Sequence, residues 1–396
     1  MPKIDTNPEK IERLLTRGVA EVIEKDHLRA ALMSGKQLRV KLGFDPTGSN
    51  IHIGRAIVLR KLREFQNLGH KVVFIAGDFT AKIGDPSDKL EKRPQLTDAQ
   101  IKENLKNYKA QIGKIIDLRQ AEFKFNSAWL KKLSLGDILT LQRAFTTNQM
   151  MTRRNFSERV QKGGEVGLEE TMYPLMQGYD SVAVKADVEL GGFDQLFNLK
   201  AGRVIQPRYG QPAQDILMTK MLEGTDGRKM STSWGNVINI TDEPNDMFGK
   251  LMSVKDELVE KYFTLCTDLS DGEIAALPTN PRDKKIRLAH EIVLLYHGKV
   301  AAEKAQENFV SQFSKGQLPE NIPEIIIEDH ALQLADLLLK CQLVDSKSAA
   351  RRLVEQGGVK INEIKKSDAN ETIAIDTGIL VQVGPRRFVR VIANYK

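Results

Sequence analysis

Between Leu38 and about Gly210, short apolar runs alternate with stretches whose apolar positions recur at helical spacing. Leu38-Arg39-Val40-Lys41-Leu42-Gly43-Phe44 reads as a strand that ends in the turn residues Asp45-Pro46-Thr47-Gly48. Ile57, Leu59, Leu62, Phe65 and Leu68 mark one face of a helix from Ile53, closed by Gly69. Lys71-Val72-Val73-Phe74-Ile75-Ala76-Gly77 is the kind of run that a strand buried on both faces needs. Thr97-Asp98-Ala99-Gln100 opens a further helix. Strand, helix, strand in this order predicts an α/β fold, a Rossmann-type parallel sheet covered by helices.

The pattern changes near Pro244. Strand-like runs almost vanish and helical spacing dominates through Phe313, after which Pro319 and Pro323 flank a polar, linker-like stretch. From Glu328 to Lys396 the pattern is a compact α+β one, in which Ser346–Val354 reads as a helix ended by Gly357-Gly358 and Val359-Lys360-Ile361-Asn362 begins a strand. Three domains are therefore expected, over residues 1–235, 236–325 and 332–396.

Composition narrows the class. The chain has 396 residues, 41% hydrophobic and 28% charged, and no apolar run approaches the roughly 20 residues that span a bilayer. Met1-Pro2-Lys3-Ile4-Asp5 leads into a polar stretch without the apolar core of a signal peptide, so a cytoplasmic location and no membrane partner are expected. Cys266 and Cys341 are far apart in apolar contexts, which predicts two buried small side chains and no structural metal. The net charge of +7 is compatible with a polyanionic partner and does not identify one. In the last segment Arg351-Arg352 and Lys365-Lys366 cluster, while the total of 11 Lys/Arg against 9 Asp/Glu is nearly balanced, so any RNA binding there rests on placement.

Two short motifs carry chemistry. His52-Ile53-Gly54-Arg55 stands at a helix start, where outward N–H groups and the helix dipole favour an anion and an imidazole can add hydrogen bonds to phosphate oxygens. Lys229-Met230-Ser231-Thr232-Ser233 follows Gly224-Thr225-Asp226-Gly227, a glycine- and hydroxyl-rich loop whose lysine can neutralise a departing pyrophosphate. Each alone is as well explained by a surface histidine or an exposed loop.

Together they resemble the class I aminoacyl-tRNA synthetases. Gly43-Phe44-Asp45-Pro46-Thr47, Ile83-Gly84-Asp85-Pro86-Ser87, Gln177-Gly178-Tyr179-Asp180-Ser181 and Gly191-Gly192-Phe193-Asp194-Gln195, in this order, narrow the resemblance to the bacterial-type tyrosyl-tRNA synthetases. It implies ATP-dependent activation of L-tyrosine and transfer to tRNA(Tyr), with Mg²⁺ accompanying ATP, a homodimer, a helical anticodon-recognition domain and a small C-terminal RNA-binding domain. By the same resemblance Asp85 and Tyr173 hold the tyrosine ammonium with Gln177 beside them, Asp180 accepts from the phenol, and Gln195 lies near the carboxylate. Asp45 and Asp194 contact the adenylate; Thr47, His52, Gly54 and Arg55 lie along the phosphates. Lys229, Met230, Ser231 and Thr232 form the mobile loop, and Lys89 and Arg93 belong to a basic stretch serving the pyrophosphate. Arg351, Arg352, Lys365 and Lys366 face RNA.

The sequence also departs from the family. Arg55 replaces a second histidine and Thr232 a second lysine; Asp88 replaces a glycine, Phe193 a small polar residue, and Lys41 a tyrosine used by one branch. Arg55 and Thr232 suggest that positive charge is redistributed around the phosphates, with Arg228 adding a cation beside Lys229. They also leave room for a catalytically altered paralogue acting as an RNA-binding protein. A paralogue that activates tyrosine for another purpose would have little use for the C-terminal segment. A tryptophanyl enzyme, the nearest relative in fold, fits Asp180 and the long C-terminal extension less well.

Overall fold

The computed structural model describes residues 3–87, 95–314, 322–375, 378–384 and 387–393. The chain divides into two compact units, Met1–Glu303 and Lys304–Lys396.

The first unit is built on a six-stranded sheet of β1 (Val19–Ile23), β2 (Arg39–Phe44), β3 (Lys71–Ala76), β4 (Glu122–Phe125), β5 (Val188–Gly192) and β6 (Asp215–Thr219), in spatial order β1-β6-β5-β2-β3-β4. All neighbours are parallel except β1, which runs antiparallel to β6 along one edge. Residues 72–76 of β3 are buried, as their unbroken apolar run requires, and all of β6 is buried too, with Asp215 and Thr219 at the two ends of its apolar Ile216–Met218 centre. The chain winds from β2 outward to β3 and β4, then returns to the other side of β2 for β5 and β6. The order therefore reverses between β2 and β5, the position where open parallel sheets form a crevice beyond their carboxyl ends. Pairing is correspondingly short there: β2 and β5 share only the pairs Val40–Val188 and Lys41–Glu189, against six pairs between β2 and β3.

Three helices frame this parting. α1 (Ile53–Asn67) follows β2, α2 (Leu168–Val184) precedes β5, and α3 (Leu196–Ile205) follows it. A helical segment after residue 243 belongs to the same unit: α4 (Pro244–Met252), α5 (Val259–Cys266) and α6 (Pro281–His297) bury Phe248, Leu251, Phe263, Leu288 and Ile292 among themselves. Arg60 of α1 donates to Asp268 at 2.8 Å, and the Tyr262 hydroxyl donates to the Glu223 carbonyl at 2.7 Å. The segment is thus fixed to both the sheet layer and the loop after β6.

The second unit carries β7 (Glu324–Ile327), β8 (Ala331–Gln333), α7 (Leu334–Lys340), α8 (Lys347–Glu355), β9 (Val359–Ile361), β10 (Ile364–Lys365), β11 (Thr372–Ala374), β12 (Ile379–Val383) and β13 (Arg387–Ala393). Its sheet has the order β10-β9-β12-β13-β7, with β8 and β11 forming a separate ribbon. Leu334, Leu337, Leu338, Ala350, Val354, Val381 and Val391 form its core. Cys341 is part of that core and Cys266 is buried in the first unit.

α1 is capped at its N-terminus by His52, whose ring Nδ1 accepts the Arg55 N–H at 3.3 Å. Burial of the ring, reinforced by the charges of Arg55 and Lys229, lowers its pKa from 6.5 to about 3. The folded chain therefore keeps this imidazole neutral, while the unfolded chain binds a proton below pH 6.5. The His52 contribution is fully present above pH 6.5 and is lost as the pH falls towards 3. Replacing His52 with Gln is expected to flatten the acid-side decline in stability between pH 6 and 4 by up to about 1.4 kcal/mol per pH unit. Urea denaturation at several pH values measures this; parallel profiles for the two proteins would contradict a buried neutral ring.

Candidate active site

The parting of β2 and β5 opens into a cavity of about 400 Å³, walled by the ends of β2, β5 and β6, the first turn of α1, Tyr173 and Gln177 of α2, and residues 229–232 of the loop after β6. Both motifs singled out in the sequence meet in this one crevice.

On the α1 side the turn brings Thr47, His52, Gly54 and Arg55 to the wall. Because the His52 Nδ1 is occupied as an acceptor, the neutral ring carries its proton on Nε2 and can donate from that atom. Arg55 donates from Nη2 to the Thr47 hydroxyl at 2.9 Å and lies over the Phe44 ring at 5.7 Å. Its fixed charge is thereby held beside the helix N-terminus. A Cβ at Gly54 would stand 3.1 Å from the His52 Nδ1 and 3.3 Å from the Met230 sulfur, so glycine permits both the cap and the docking of the loop.

The loop after β6 is a tight hairpin. Gly224 N–H donates to the Arg228 carbonyl at 2.7 Å, and the Met230 N–H to the Leu222 carbonyl at 3.0 Å. The Asn236 side chain holds it together, donating to Asp226 at 2.7 Å and to the Lys229 carbonyl at 3.1 Å and accepting the Ser231 N–H at 2.9 Å. Met230 is buried and anchors the loop, Thr232 is exposed, and the Lys229 ammonium reaches across to Asp194 at 2.8 Å. The guanidinium of Arg228 does not join the crevice wall: it pairs with Asp226 at 2.6 Å and lies over Trp234 at 4.9 Å. Local pairing thus claims the extra cation expected beside Lys229.

At the other end Asp85 accepts from Gln195 Nε2 at 2.6 Å, from Asn198 Nδ2 at 3.3 Å and from the Ser87 N–H at 2.9 Å. Arg153 backs this group, donating to Ser87 Oγ at 3.0 Å and Asn198 Oδ1 at 3.1 Å between the rings of Phe156 and Phe197. The Tyr173 hydroxyl donates to Asp45 at 2.9 Å, and Thr80 donates to the other Asp45 oxygen at 2.7 Å. A Cβ at Gly77 would fall 2.1 Å from that oxygen, so only glycine leaves room for the carboxylate. Asp180 is 4% exposed and stands behind the wall, accepting from Trp129 Nε1 at 2.8 Å and Asn126 Nδ2 at 3.3 Å. Burial raises its pKa to about 7 against the opposing charge of Lys41 and the two hydrogen bonds.

Asp45, Thr47, His52, Gly54, Arg55, Asp85, Tyr173, Gln177, Asp194, Gln195, Lys229, Met230, Ser231 and Thr232 all line the crevice. Lys89 and Arg93, with Asp88, lie outside the described residues. In the second unit Arg351 and Arg352 are exposed on α8, Lys365 folds over Gly357, and Lys366 pairs with Glu371. Sequence reasoning missed Asn126, Trp129, Arg153, Asn198 and Asn236. Asn198, three residues beyond Gln195 at the start of a helix, has a spacing that could have found it; Arg153, beside Arg154, carries no such signal.

Comparison with known proteins agrees with this geometry. The family model for tRNA synthetases class I (W and Y) matches residues 33–314, and that for the tyrosine–tRNA ligase SYY-like C-terminal domain matches residues 314–380. The chain is 44% identical over 392 residues to the tyrosine–tRNA ligase of Thermotoga maritima, covering 97% of this chain and 98% of the relative. It is 45% identical over 390 residues to that of Moorella thermoacetica, covering 96% and 94%. The crystal structure of a C-terminally truncated mitochondrial tyrosyl-tRNA synthetase of Aspergillus nidulans shares the fold, with a TM-score of 0.63 at 23% identity over 77% of this chain and 94% of that one. With both motifs of the class in one crevice and full-length similarity to these enzymes, the chain belongs to the tyrosine–tRNA ligases of the class I tRNA synthetase family.

Proposed function

We propose that the crevice between β2 and β5 is where this tyrosine–tRNA ligase joins L-tyrosine to ATP and then passes the tyrosyl group to tRNA(Tyr). The observation that carries the assignment is the packing of Met230 over Gly54, which sets the lysine loop against the helix start in one cavity. In the first step the tyrosine carboxylate attacks the α-phosphate and pyrophosphate leaves; in the second a hydroxyl of the terminal tRNA ribose attacks the tyrosyl carbonyl carbon and AMP leaves. No protein nucleophile enters either step, so the residues act by position and charge.

Asp85 and Tyr173, with Gln177, are suited to the tyrosine ammonium and Gln195 to its carboxylate. Asp180 is the candidate acceptor for the phenol. Asp194 is the candidate ribose acceptor, and the adenylate also reaches Asp45. On nucleotide binding the Lys229 ammonium exchanges Asp194 for the β- and γ-phosphates. His52 donates from Nε2 as a neutral ring; Thr47, Arg55 and the N-terminus of α1 complete the phosphate site. Asp45 and Asp194 would be the carboxylates to hold a water of any Mg²⁺ carried by ATP, and that ion would supply neutralisation of phosphate charge.

The rest of the reading follows the same division of labour. Residues 1–235 form the catalytic domain, 236–325 the anticodon-recognition domain and 332–396 an RNA-binding domain using Arg351, Arg352, Lys365 and Lys366. The work belongs in the cytoplasm, as for a bacterial translation enzyme. Leu135 and Leu139, one helical turn apart, are 75% and 48% exposed, and a second copy of the chain is the partner we assign to that apolar face. A chain that kept RNA binding and lost catalysis would not need His52, Asp85, Gln195 and Lys229 gathered around one cavity.

Exchange of labelled pyrophosphate into ATP tests the activation step. Exchange is expected with tyrosine and not with phenylalanine or tryptophan; no exchange from a folded protein that still binds tRNA would contradict the assignment. In the same assay Arg55→His alone is expected to slow exchange and Thr232→Lys to restore part of the loss. A double-mutant cycle with purely additive effects would refute the redistribution of charge around the phosphates.

A further inference from the structure

Lys41 and Glu189 are register partners on β2 and β5, the last pair before the strands separate. Their side chains are 0% and 1% exposed, and the ammonium lies 2.9 Å from the carboxylate. Burying two charges so completely costs more solvation than a simple ion pair returns, and apolar replacements of similar size often leave such proteins equally stable. Stability is therefore a weak reason for the pair to exist, and what it holds is the better question.

Both partners hold the same turn of α2. Lys41 Nζ donates to the Gln177 carbonyl at 2.8 Å and to Ser181 Oγ at 2.8 Å. Glu189 accepts from Gln177 Nε2 at 3.1 Å and from Ser181 Oγ at 3.0 Å, and Gln214 Nε2 donates to it as well. Gln177 and Ser181 are the two ends of one helical turn, and Asp180 lies within it. Gln177 lines the crevice, while Asp180 is seated behind it by Trp129 and Asn126. Two charged groups thus clamp a turn that would otherwise rest on the sheet through neutral contacts alone.

We propose that the Lys41–Glu189 pair is a positioning element for amino-acid selectivity, fixing the Gln177–Ser181 turn so that its polar groups meet a phenol and not a plain benzyl ring. The inference rests on the reading that this turn faces the tyrosine substrate. Hydrogen-bond selectivity depends on placement to within a few tenths of an ångström, and rigid charged anchors supply that where packing alone leaves rotational play. Burial raises the pKa of Asp180 and the charge of Glu189 adds to that, while the ammonium of Lys41 opposes both, so the pair acts on this turn chiefly through its hydrogen bonds.

The test uses the full-length enzyme. The double variant Lys41→Met/Glu189→Gln removes both charges and leaves an acceptor for Gln177. It is expected to fold, by circular dichroism and thermal melting, with an unchanged KM for ATP. Its KM for tyrosine in pyrophosphate exchange should rise by about ten- to a hundredfold, and its preference for tyrosine over phenylalanine should fall. A folded double variant with unchanged tyrosine KM and unchanged preference overturns the proposal. Should that variant not fold, Ser181→Ala keeps both charges and removes a hydroxyl that joins them to α2. A rise in tyrosine KM with constant ATP KM supports the proposal, and no change refutes it. Asp180→Asn separates the two levels of the argument. If it abolishes the preference while the pair and Ser181 variants do not, the positioning inference alone fails. If it leaves the preference intact, the reading of the turn as facing the phenol fails, and the proposal falls with it.

Discussion

The separation of β2 from β5 is the constraint on which the rest depends. A parallel sheet must cover both faces with helices, and a chain that winds outward and then returns places two crossovers on opposite sides at the reversal. No helix then fills the space beyond the two carboxyl ends. In this chain the last shared pair is Lys41–Glu189, after which Leu42 to Asp45 and Leu190 to Gly192 part to become the walls of a cavity. The groups proposed for catalysis converge on that cavity from these strand ends, the start of α1, α2, the segment after β3 and the loop after β6.

The crevice is preorganised by hydrogen bonds made before any substrate arrives. Asp45 is held by Tyr173 and Thr80, Asp85 by Gln195, Asn198 and the Ser87 backbone, and Lys229 by Asp194. Such groups lose little orientational freedom on binding, which is what a reaction without a protein nucleophile requires. The Lys229–Asp194 pair is of a different kind, because a nucleotide brings partners for both: phosphate for the lysine and a ribose hydroxyl for the aspartate. The loop is therefore held across the cavity by a contact that the substrate can replace.

Much of this was legible in the sequence. The run at Lys71–Gly77 showed its strand because unbroken apolar residues suit burial on both faces, and Leu38–Phe44 showed its strand by alternating apolar positions that end in the turn Asp45-Pro46-Thr47-Gly48. The ends of α1 followed from apolar spacing and Gly69. Motif residues converged because motifs at strand ends meet where the strands end. What stayed hidden was the second layer of partners. Arg153, Asn126 and Asn236 carry no periodic signal, and each acts through a contact with a residue distant in the chain or across a tight loop. Arg228 shows the converse: adjacency to Lys229 suggested a shared role, yet Asp226 and Trp234 claim it. Lys41 stood out as a departure from relatives, but nothing in a linear reading joins it to Glu189, 148 positions later.

The central claim, that tyrosine and ATP meet in this crevice with the phenol toward the Gln177–Ser181 turn, is tested most directly by a crystal structure with a non-hydrolysable tyrosyl-adenylate analogue. The account predicts the phenol oxygen within hydrogen-bond distance of Asp180, the ammonium at Asp85, the ribose at Asp194, and Lys229 released from that carboxylate. An analogue bound with its ring away from the turn, or outside the parting of β2 and β5, would contradict it.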